Sequence, residues 1–180
     1  MTGLALVFQL GCGTDLGPAE STPTPAANPS LLGDVLHKLL YMTCSVRPQQ
    51  QKTITLTSDG GTFAVDYATL VVPAGSIPSG QRRTFLMTTP ADPIASVVFT
   101  PVDGAGEMRF PDNPSPVVRL SYAHCTGGIQ LLRRIAYTTD RNDPLLGLPK
   151  LLEMLLSIDN ALRREVQAPI EHFSRYAVAF

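Results

Sequence analysis

The stretch ITLTSDGGTFAVDY, residues 54–67, decides the fold of this chain. Apolar side chains recur at every second position, as at Phe63, Val65 and Tyr67, and a Gly60-Gly61 pair interrupts the pattern. A period of two is typical of β-strands that bury one face, and paired glycines favour a tight turn. The stretch therefore predicts two strands joined by a turn.

The same alternation continues along the chain between turns rich in proline and glycine. In RLSY, for example, Leu120 and Tyr122 face one way while Arg119 and Ser121 face the other. Further strands are predicted at residues 70–73, 84–89, 96–100, 117–122, 134–138 and 176–180. Many short strands separated by turns predict a mainly β fold, an antiparallel β-sandwich.

The composition fits one domain of this kind. The chain has 180 residues, of which 44% are hydrophobic and 16% are charged, whereas an average domain has about 25% charged residues. Its surface must therefore use uncharged polar residues, as β-proteins often do. A net charge of −1 gives no field for a polyanion, and no apolar run is long enough to span a bilayer. We therefore expect neither nucleic-acid binding nor a transmembrane helix.

Two segments depart from the strand pattern and predict helices. Residues 31–42 place apolar side chains at helical spacing, which predicts a short amphipathic N-terminal helix. A second helix is predicted at residues 149–164, starting near Pro149, as an insertion before the last strand. Its apolar stripe must be covered either by the rest of the domain or by a partner protein. The stripe consists of Leu151, Leu152, Leu155, Leu156, Ile158 and Leu162.

The first thirty residues resemble an export signal followed by a linker. Residues 4–10 are apolar and lead into Gly11-Cys12, so residues 1–12 are similar to a signal peptide with a lipobox, and Cys12 would carry the lipid. Gln9 and the lack of a basic residue before Lys38 depart from that pattern. A cytosolic start is the alternative. Residues 13–30 are rich in proline and small polar residues, which predicts a flexible linker ahead of a domain at 31–180.

The remaining cysteines, Cys44 and Cys125, predict one disulfide in an exported protein. The two cysteines are 81 residues apart, and closing a loop of that size gives a nominal stabilisation of roughly 4 kcal/mol. The alternative is a pair of buried free thiols.

Three spaced motifs carry a family resemblance. GGTFAVDYATLVVPAGSI at residues 60–77 contains GGT and L-x-V-P-x-G, and VVFTPVDGAGEMRFPDNPSPVVRLSY at 97–122 contains proline-associated phenylalanines at Phe99 and Phe110. Together they resemble the ZU-five domain, a β-sandwich module of ankyrins and netrin receptors, over residues 53–180. The resemblance implies a scaffold that joins proteins rather than an enzyme.

The segment His172-Phe173-Ser174 is similar to the self-cleavage site of certain ZU-five scaffolds, which are cut between Phe and Ser. In an extended segment the side chains of His172 and Ser174 project from one face, so the imidazole could act as general base for the hydroxyl. The activated oxygen would attack the Phe173 carbonyl, and an ester formed by N-to-O acyl shift would be hydrolysed. The alternative is that Phe173 fills the core while His172 and Ser174 satisfy local polar groups.

No other chemistry stands out. We expect no metal and no cofactor: His124 lies beside Cys125, but neighbouring strand residues point to opposite faces, and no zinc-ligand spacing is present. The histidines and scattered acids form no hydrolase constellation, and Trp is absent, which disfavours an enzyme or a glycan-binding domain. The sequence therefore favours a non-catalytic, lipid-anchored interaction or structural domain whose partner is another envelope protein, with self-processing as the alternative.

Overall fold

The structure is a computed structural model that describes residues 41–102, 109–110, 114–126, 132–142 and 149–180. Within these residues the chain is mainly β, and no segment forms a helix. A search of the same residues for a bilayer-spanning helix finds none. The described strands are β1 (Gln50–Leu56), β2 (Gly61–Val65), β3 (Ala68–Val72), β4 (Arg83–Thr89), β5 (Ser96–Pro101), β6 (Val117–Ser121), β7 (Arg134–Asn142), β8 (Pro149–Met154), β9 (Ile158–Asn160), β10 (Glu165–Pro169) and β11 (Arg175–Ala179).

The strands form two antiparallel sheets. One has the order β1-β4-β5-β11-β7-β8 and the other β2-β3-β6-β10-β9. The last strand in sequence, β11, therefore lies in the interior of its sheet, paired with β5 on one side and β7 on the other. Strands β1 and β2 are in contact across the sheets, as are β7 and β10. Because of this stacking, β8 and β9 end their respective sheets on the same side of the molecule.

The two sheets share one hydrophobic core. Burial alternates along β3, β4 and β6, as a strand with one covered face requires. Leu120 and Tyr122 are both buried, which confirms the predicted orientation of RLSY. The core cluster draws on strands of both sheets, which is the packing of a sandwich. Its large, fully buried members include Phe85, Ile54, Leu56, Leu70, Ile77, Met87, Leu120, Tyr122 and Tyr176.

The predicted glycine turn joins β1 to β2. Gly60 has a φ of +69°, and its amide donates a hydrogen bond to the carbonyl of Thr57 at 3.1 Å. A Cβ atom at this position would lie 2.2 Å from the carbonyl oxygen of Val72. Glycine is required here because the backbone is left-handed and because the backbone at Val72 leaves no room for a Cβ atom.

The alternating patterns predicted most strands correctly, but the helix predicted at 149–164 is wrong. Pro149–Met154 form β8 and Ile158–Asn160 form β9. In β8, Glu153 pairs with Tyr137 of β7, so the segment supplies hydrogen-bond partners to the outer side of β7. Leucine favours helices, but intrinsic propensity is a weak preference that such pairing overrides.

The end of this segment is also incompatible with a helix. The side-chain oxygen of Asn160 accepts a hydrogen bond from the amide of Arg163 at 3.1 Å, within a turn at residues 161–164. Arg164 has a φ of +51°, a left-handed conformation that an α-helix interior excludes. The chain therefore reverses direction here and enters β10, a strand that the sequence pattern did not reveal.

Most of the predicted N-terminal helix lies outside the described residues, since only Tyr41 and Met42 of residues 31–42 are described. Tyr41 forms an antiparallel bridge with Ala179 rather than a helical turn, and its hydroxyl donates to the carbonyl of Pro149 at 2.9 Å. The predicted signal peptide at 1–12 and linker at 13–30 also lie outside the described residues.

Candidate functional site

The His172-Phe173-Ser174 segment, here the HFS segment, connects β10 to β11 and is held from two sides. Its first residue forms an isolated antiparallel bridge with Arg109, and the amide of Phe110 donates to the carbonyl of Glu171 at 2.7 Å. On the other side, the amide of Phe99 donates to the carbonyl of Ser174 at 3.0 Å. The backbone on both sides of the proposed scissile bond is therefore anchored by hydrogen bonds to other segments of the domain.

Phe173 is part of the core. Its side chain is 6% exposed and packs at ring-centroid distances of 4.3 Å from Phe85, 4.8 Å from Phe99 and 4.7 Å from Phe110. Two of these contacts are edge-to-face and one is stacked, which are the favoured geometries of aromatic pairs. The ring therefore packs the HFS segment against β4, β5 and Phe110.

His172 packs against two tyrosines. Its ring centroid lies 4.4 Å from that of Tyr137 and 6.2 Å from that of Tyr176. The Tyr176 hydroxyl donates a hydrogen bond to the His172 carbonyl and lies 3.4 Å from Nδ1 of the same residue. These contacts fix the orientation of the imidazole.

Tyr176 remains a neutral phenol over the whole physiological range. Burial raises the pKa of its hydroxyl above the ordinary value, and the negative charges of Glu153 and Glu171 raise the pKa further because they oppose a phenolate. The hydroxyl beside His172 is therefore a hydrogen-bond donor at neutral pH.

These side chains line a cleft of about 430 Å³. Glu153 and Glu171 supply two carboxylates, and Leu155 and Leu156 supply apolar walls. The sequence pattern singled out Leu155 and Leu156 as members of the apolar stripe, but among the polar and aromatic residues of the cleft it singled out only His172 as a site residue. Glu153 was missed because its segment was predicted to be helical, and Glu171 and Tyr137 were missed because β10 and the pairing of β7 with β8 were not foreseen. The aromatic lining consists of Tyr137, His172 and Tyr176.

The predicted disulfide between Cys44 and Cys125 is present. The two cysteines face each other in an isolated antiparallel bridge and are both buried. The bridge links the start of the described chain to the segment after β6, so the alternative of two free buried thiols is not what the structure contains.

The sequence argument against His124 as a metal ligand assumed that this residue lies in a strand, and that assumption is wrong. His124 lies in a turn that follows β6, not in a strand, and its ring packs 4.5 Å from the ring of Tyr67. Donor atoms of Cys44, His124 and Cys125 all lie within 4.8 Å of one another. Burial lowers the pKa of His124, and the positive charge of Arg47 lowers it further, so the imidazole is neutral at pH 7.

Cys12, the predicted site of lipidation, lies outside the described residues. In comparisons with known proteins, no family model, no curated protein and no solved structure matches the chain. The resemblance to ZU-five domains therefore stays a prediction from the motifs at residues 60–77 and 97–122.

Proposed function

We propose that this chain is a non-catalytic interaction domain that binds a protein partner through one lateral edge of its two sheets. This surface, called the β8–β9 edge, consists of β8, β9, the link at residues 155–157 and the turn at 161–164. The leucine-rich stripe, for which the sequence predicts a covering surface or partner, lies on this edge.

The observation that carries the proposal is the exposure of this stripe. Large apolar side chains concentrated on one face of a soluble domain are typical of a binding surface, whereas scattered ones need no explanation. Among the described residues, seven large hydrophobic side chains are exposed, and four of these seven belong to the β8–β9 edge. They are Leu152 at 46%, Leu156 at 90%, Ile158 at 66% and Leu162 at 99% exposure.

The backbone of this edge also favours a partner. In the described sheets β8 pairs only with β7, and β9 pairs only with β10. An edge strand presents unpaired amide and carbonyl groups, to which an extended segment of another protein can add as a further strand. The two edges lie side by side because three residues, 155–157, link them.

The cleft beside the edge gives the partner a chemical character. Leu156 both lines the cleft and belongs to the exposed stripe, so the apolar edge continues into a cavity that holds Glu153 and Glu171. A partner that covers the edge would desolvate these carboxylates, which is costly unless a cation pairs with them. We therefore expect the partner to present a lysine or arginine beside its apolar residues.

The proposal can be tested with a photo-crosslinking amino acid placed at position 156 of the full chain and expressed in the native host cells. We expect one dominant crosslinked partner, and the Leu162→Asp substitution should abolish the crosslink because it puts a charge into the buried contact. In a separate variant, the double substitution Glu153→Gln and Glu171→Gln removes both negative charges of the cleft. This variant should form less of the crosslink, and the remaining crosslink should depend less on salt concentration.

The matched control is Val102, which is 58% exposed and follows β5 rather than β8. A crosslinker at position 102 should capture no dominant partner, and Val102→Asp should leave the crosslink from position 156 intact. Equal capture from positions 102 and 156 would contradict the proposal.

The cellular setting of the domain is part of the proposal and is supported by the first thirty residues and by the disulfide. A lipid on Cys12 and the linker at 13–30 would hold the domain at the cell envelope, where an oxidising compartment allows the Cys44–Cys125 bond to form. Labelling with a radioactive fatty acid tests the anchor: we expect label in the wild type and none in Cys12→Ala. An unlabelled wild-type protein would remove the anchor from the proposal but not the β8–β9 edge.

Self-cleavage within the HFS segment is a second candidate function, favoured by the contact of His172 with Tyr176. Since the phenol donates its hydrogen to the His172 carbonyl, its oxygen can accept Nδ1–H, and Nε2 is then the basic nitrogen. An imidazole in this tautomer can take up a proton at Nε2, as a general base must. Intact-mass measurement of the purified protein tests it: the cut should appear in the wild type and vanish in Ser174→Ala, whereas an uncut wild type would end the idea.

A further inference from the structure

Three side chains of metal-ligating types meet beside the turn at residues 161–164, and none of the three belongs to the β8–β9 edge or to the HFS segment. We call this group, Cys44, His124 and Cys125, the Cys–His cluster. Their donor atoms lie within 4.8 Å of one another, and both sulfurs are buried. Two sulfurs and one imidazole are soft and borderline donors, which suit d¹⁰ metal ions rather than Mg²⁺ or Ca²⁺.

The backbone of the cluster is held by hydrogen bonds that do not depend on the disulfide. The amide of Cys44 donates to the carbonyl of Pro93 at 2.9 Å, and that of Cys125 donates to the carbonyl of Tyr122 at 3.0 Å. Ser45 donates twice to the carbonyl of His124, from its amide at 3.1 Å and from its hydroxyl at 2.7 Å. After reduction, these bonds would therefore keep the two sulfurs facing each other.

The charges around the cluster suit a pair of thiolates. The Arg164 guanidinium donates to the carbonyl of Cys125 at 2.7 Å and to that of Tyr122 at 3.3 Å, so a positive charge is held at the backbone of one of the two cysteines. Arg47, whose charge lowers the pKa of His124, forms an ion pair with Asp66 at 2.8 Å. A complex of two thiolates, one neutral imidazole and Cu⁺ carries a charge of −1, which Arg164 would balance.

The number of donors distinguishes Cu⁺ from Zn²⁺. Structural zinc sites are almost always four-coordinate, whereas the cluster offers three donors, a number that Cu⁺ accepts. We propose that reduction of the Cys44–Cys125 disulfide converts the Cys–His cluster into a binding site for one Cu⁺ ion. A thiol reductant supplies two electrons and two protons to break the S–S bond, and the two resulting thiols release their protons when Cu⁺ binds.

The test compares the oxidised and reduced forms of the full chain. A phosphine reduces the disulfide, the excess is removed without air, and the protein is titrated with Cu⁺ against a chromogenic Cu⁺ chelator. We expect one Cu⁺ per reduced chain, with a sulfur-to-copper absorption band in the ultraviolet. The oxidised protein, which has the same fold but no thiolates, should bind at least about 100-fold more weakly, since soft thiolates are the donors that select Cu⁺.

Two substitutions separate the cluster from adventitious copper binding. His124→Ala should weaken Cu⁺ binding of the reduced chain by roughly tenfold or more, since perturbing even an outer-shell partner of a metal site costs that much. His172→Ala, which removes a histidine far along the chain in the cleft, should leave the affinity unchanged.

Each of the following results would overturn the proposal: equal Cu⁺ affinity of oxidised and reduced protein, equal loss in the two histidine variants, or loss of the near-ultraviolet circular dichroism of the folded protein on reduction alone. The last would show that the site is not held in place by the fold. Tighter binding of Zn²⁺ than of Cu⁺ under competition would likewise refute the assignment of the metal.

Discussion

At the scale of the residue, the core position of Phe173 can be tested by measuring the stability of the folded protein. Its ring touches three other phenylalanines in the core, so Phe173→Ala would leave a cavity among side chains from several strands. We expect a loss of about 3–5 kcal/mol in the free energy of unfolding, measured by denaturant titration. Leu162→Ala, at a side chain that is 99% exposed, should change it by less than about 0.5 kcal/mol. Similar effects of the two substitutions would contradict the core position of Phe173.

Arg175 is a buried charge directly after the HFS segment. Its side chain is 5% exposed and contacts the carboxylate of Asp92, which also accepts the amide of Ile94 at 3.1 Å. Asp92→Ala would leave the guanidinium buried without that carboxylate, and we expect thermal and denaturant unfolding to show a loss of about 3 kcal/mol. Asp59→Ala, at an exposed carboxylate, is the control and should be nearly neutral. A neutral Asp92→Ala would mean that the ion pair contributes nothing to the fold.

Tyr67 makes stability depend on alkaline pH. Burial raises its pKa from 10.0 to about 12, so the folded state holds the proton more tightly than the unfolded chain. Its contribution is complete below pH 10 and is lost as the pH rises from 10 to 12, with a slope of about 1.4 kcal/mol per pH unit for one proton. Tyr67→Phe should therefore show a shallower fall in the free energy of unfolding over this range. Identical slopes in both proteins would assign the effect to the other buried tyrosines.

At the scale of the element, what the sequence could predict depended on whether local pattern and tertiary pairing agreed. Leu120 and Tyr122 alternate with polar neighbours and are buried as expected, because one covered face imposes a period of two. Glu153 sits among leucines whose spacing favours a helix, yet it lies in β8 because β7 supplies a pairing partner. That partner is distant in sequence, and no local pattern contains it.

The candidate sites follow the same rule. His124 was set aside on the premise that it continues a strand, whereas Ala123 and His124 turn the chain before Cys125. The turn brings the imidazole toward the sulfurs. The acidic cleft required knowledge of which strands flank β11, so spacing along the chain could not reveal it.

Gly60 shows how a single residue specifies an element. It has a φ of +69° and no room for a Cβ atom, whereas Gly80 has a φ of +77° and open space around it. Gly80→Ala should cost only the backbone strain, about 1–2 kcal/mol. Gly60→Ala adds a clash with the backbone at Val72, so we expect a loss of about 3 kcal/mol or more in the free energy of unfolding. Equal losses would show that the turn between β1 and β2 can relax away from β3.

At the scale of the whole molecule, the position of β11 makes the C-terminus a structural requirement. All five residues of this strand are buried, and β11 pairs with β5 on one side and β7 on the other. Without it, the six-stranded sheet would separate into β1-β4-β5 and β7-β8, each with a new exposed edge. We therefore expect a chain ending at Ser174 to lose cooperative thermal unfolding and near-ultraviolet circular dichroism. A synthetic peptide of residues 175–180 should restore part of both signals, since main-chain pairing with β5 and β7 needs no covalent link. A truncated chain that unfolds cooperatively at the wild-type temperature would contradict this role.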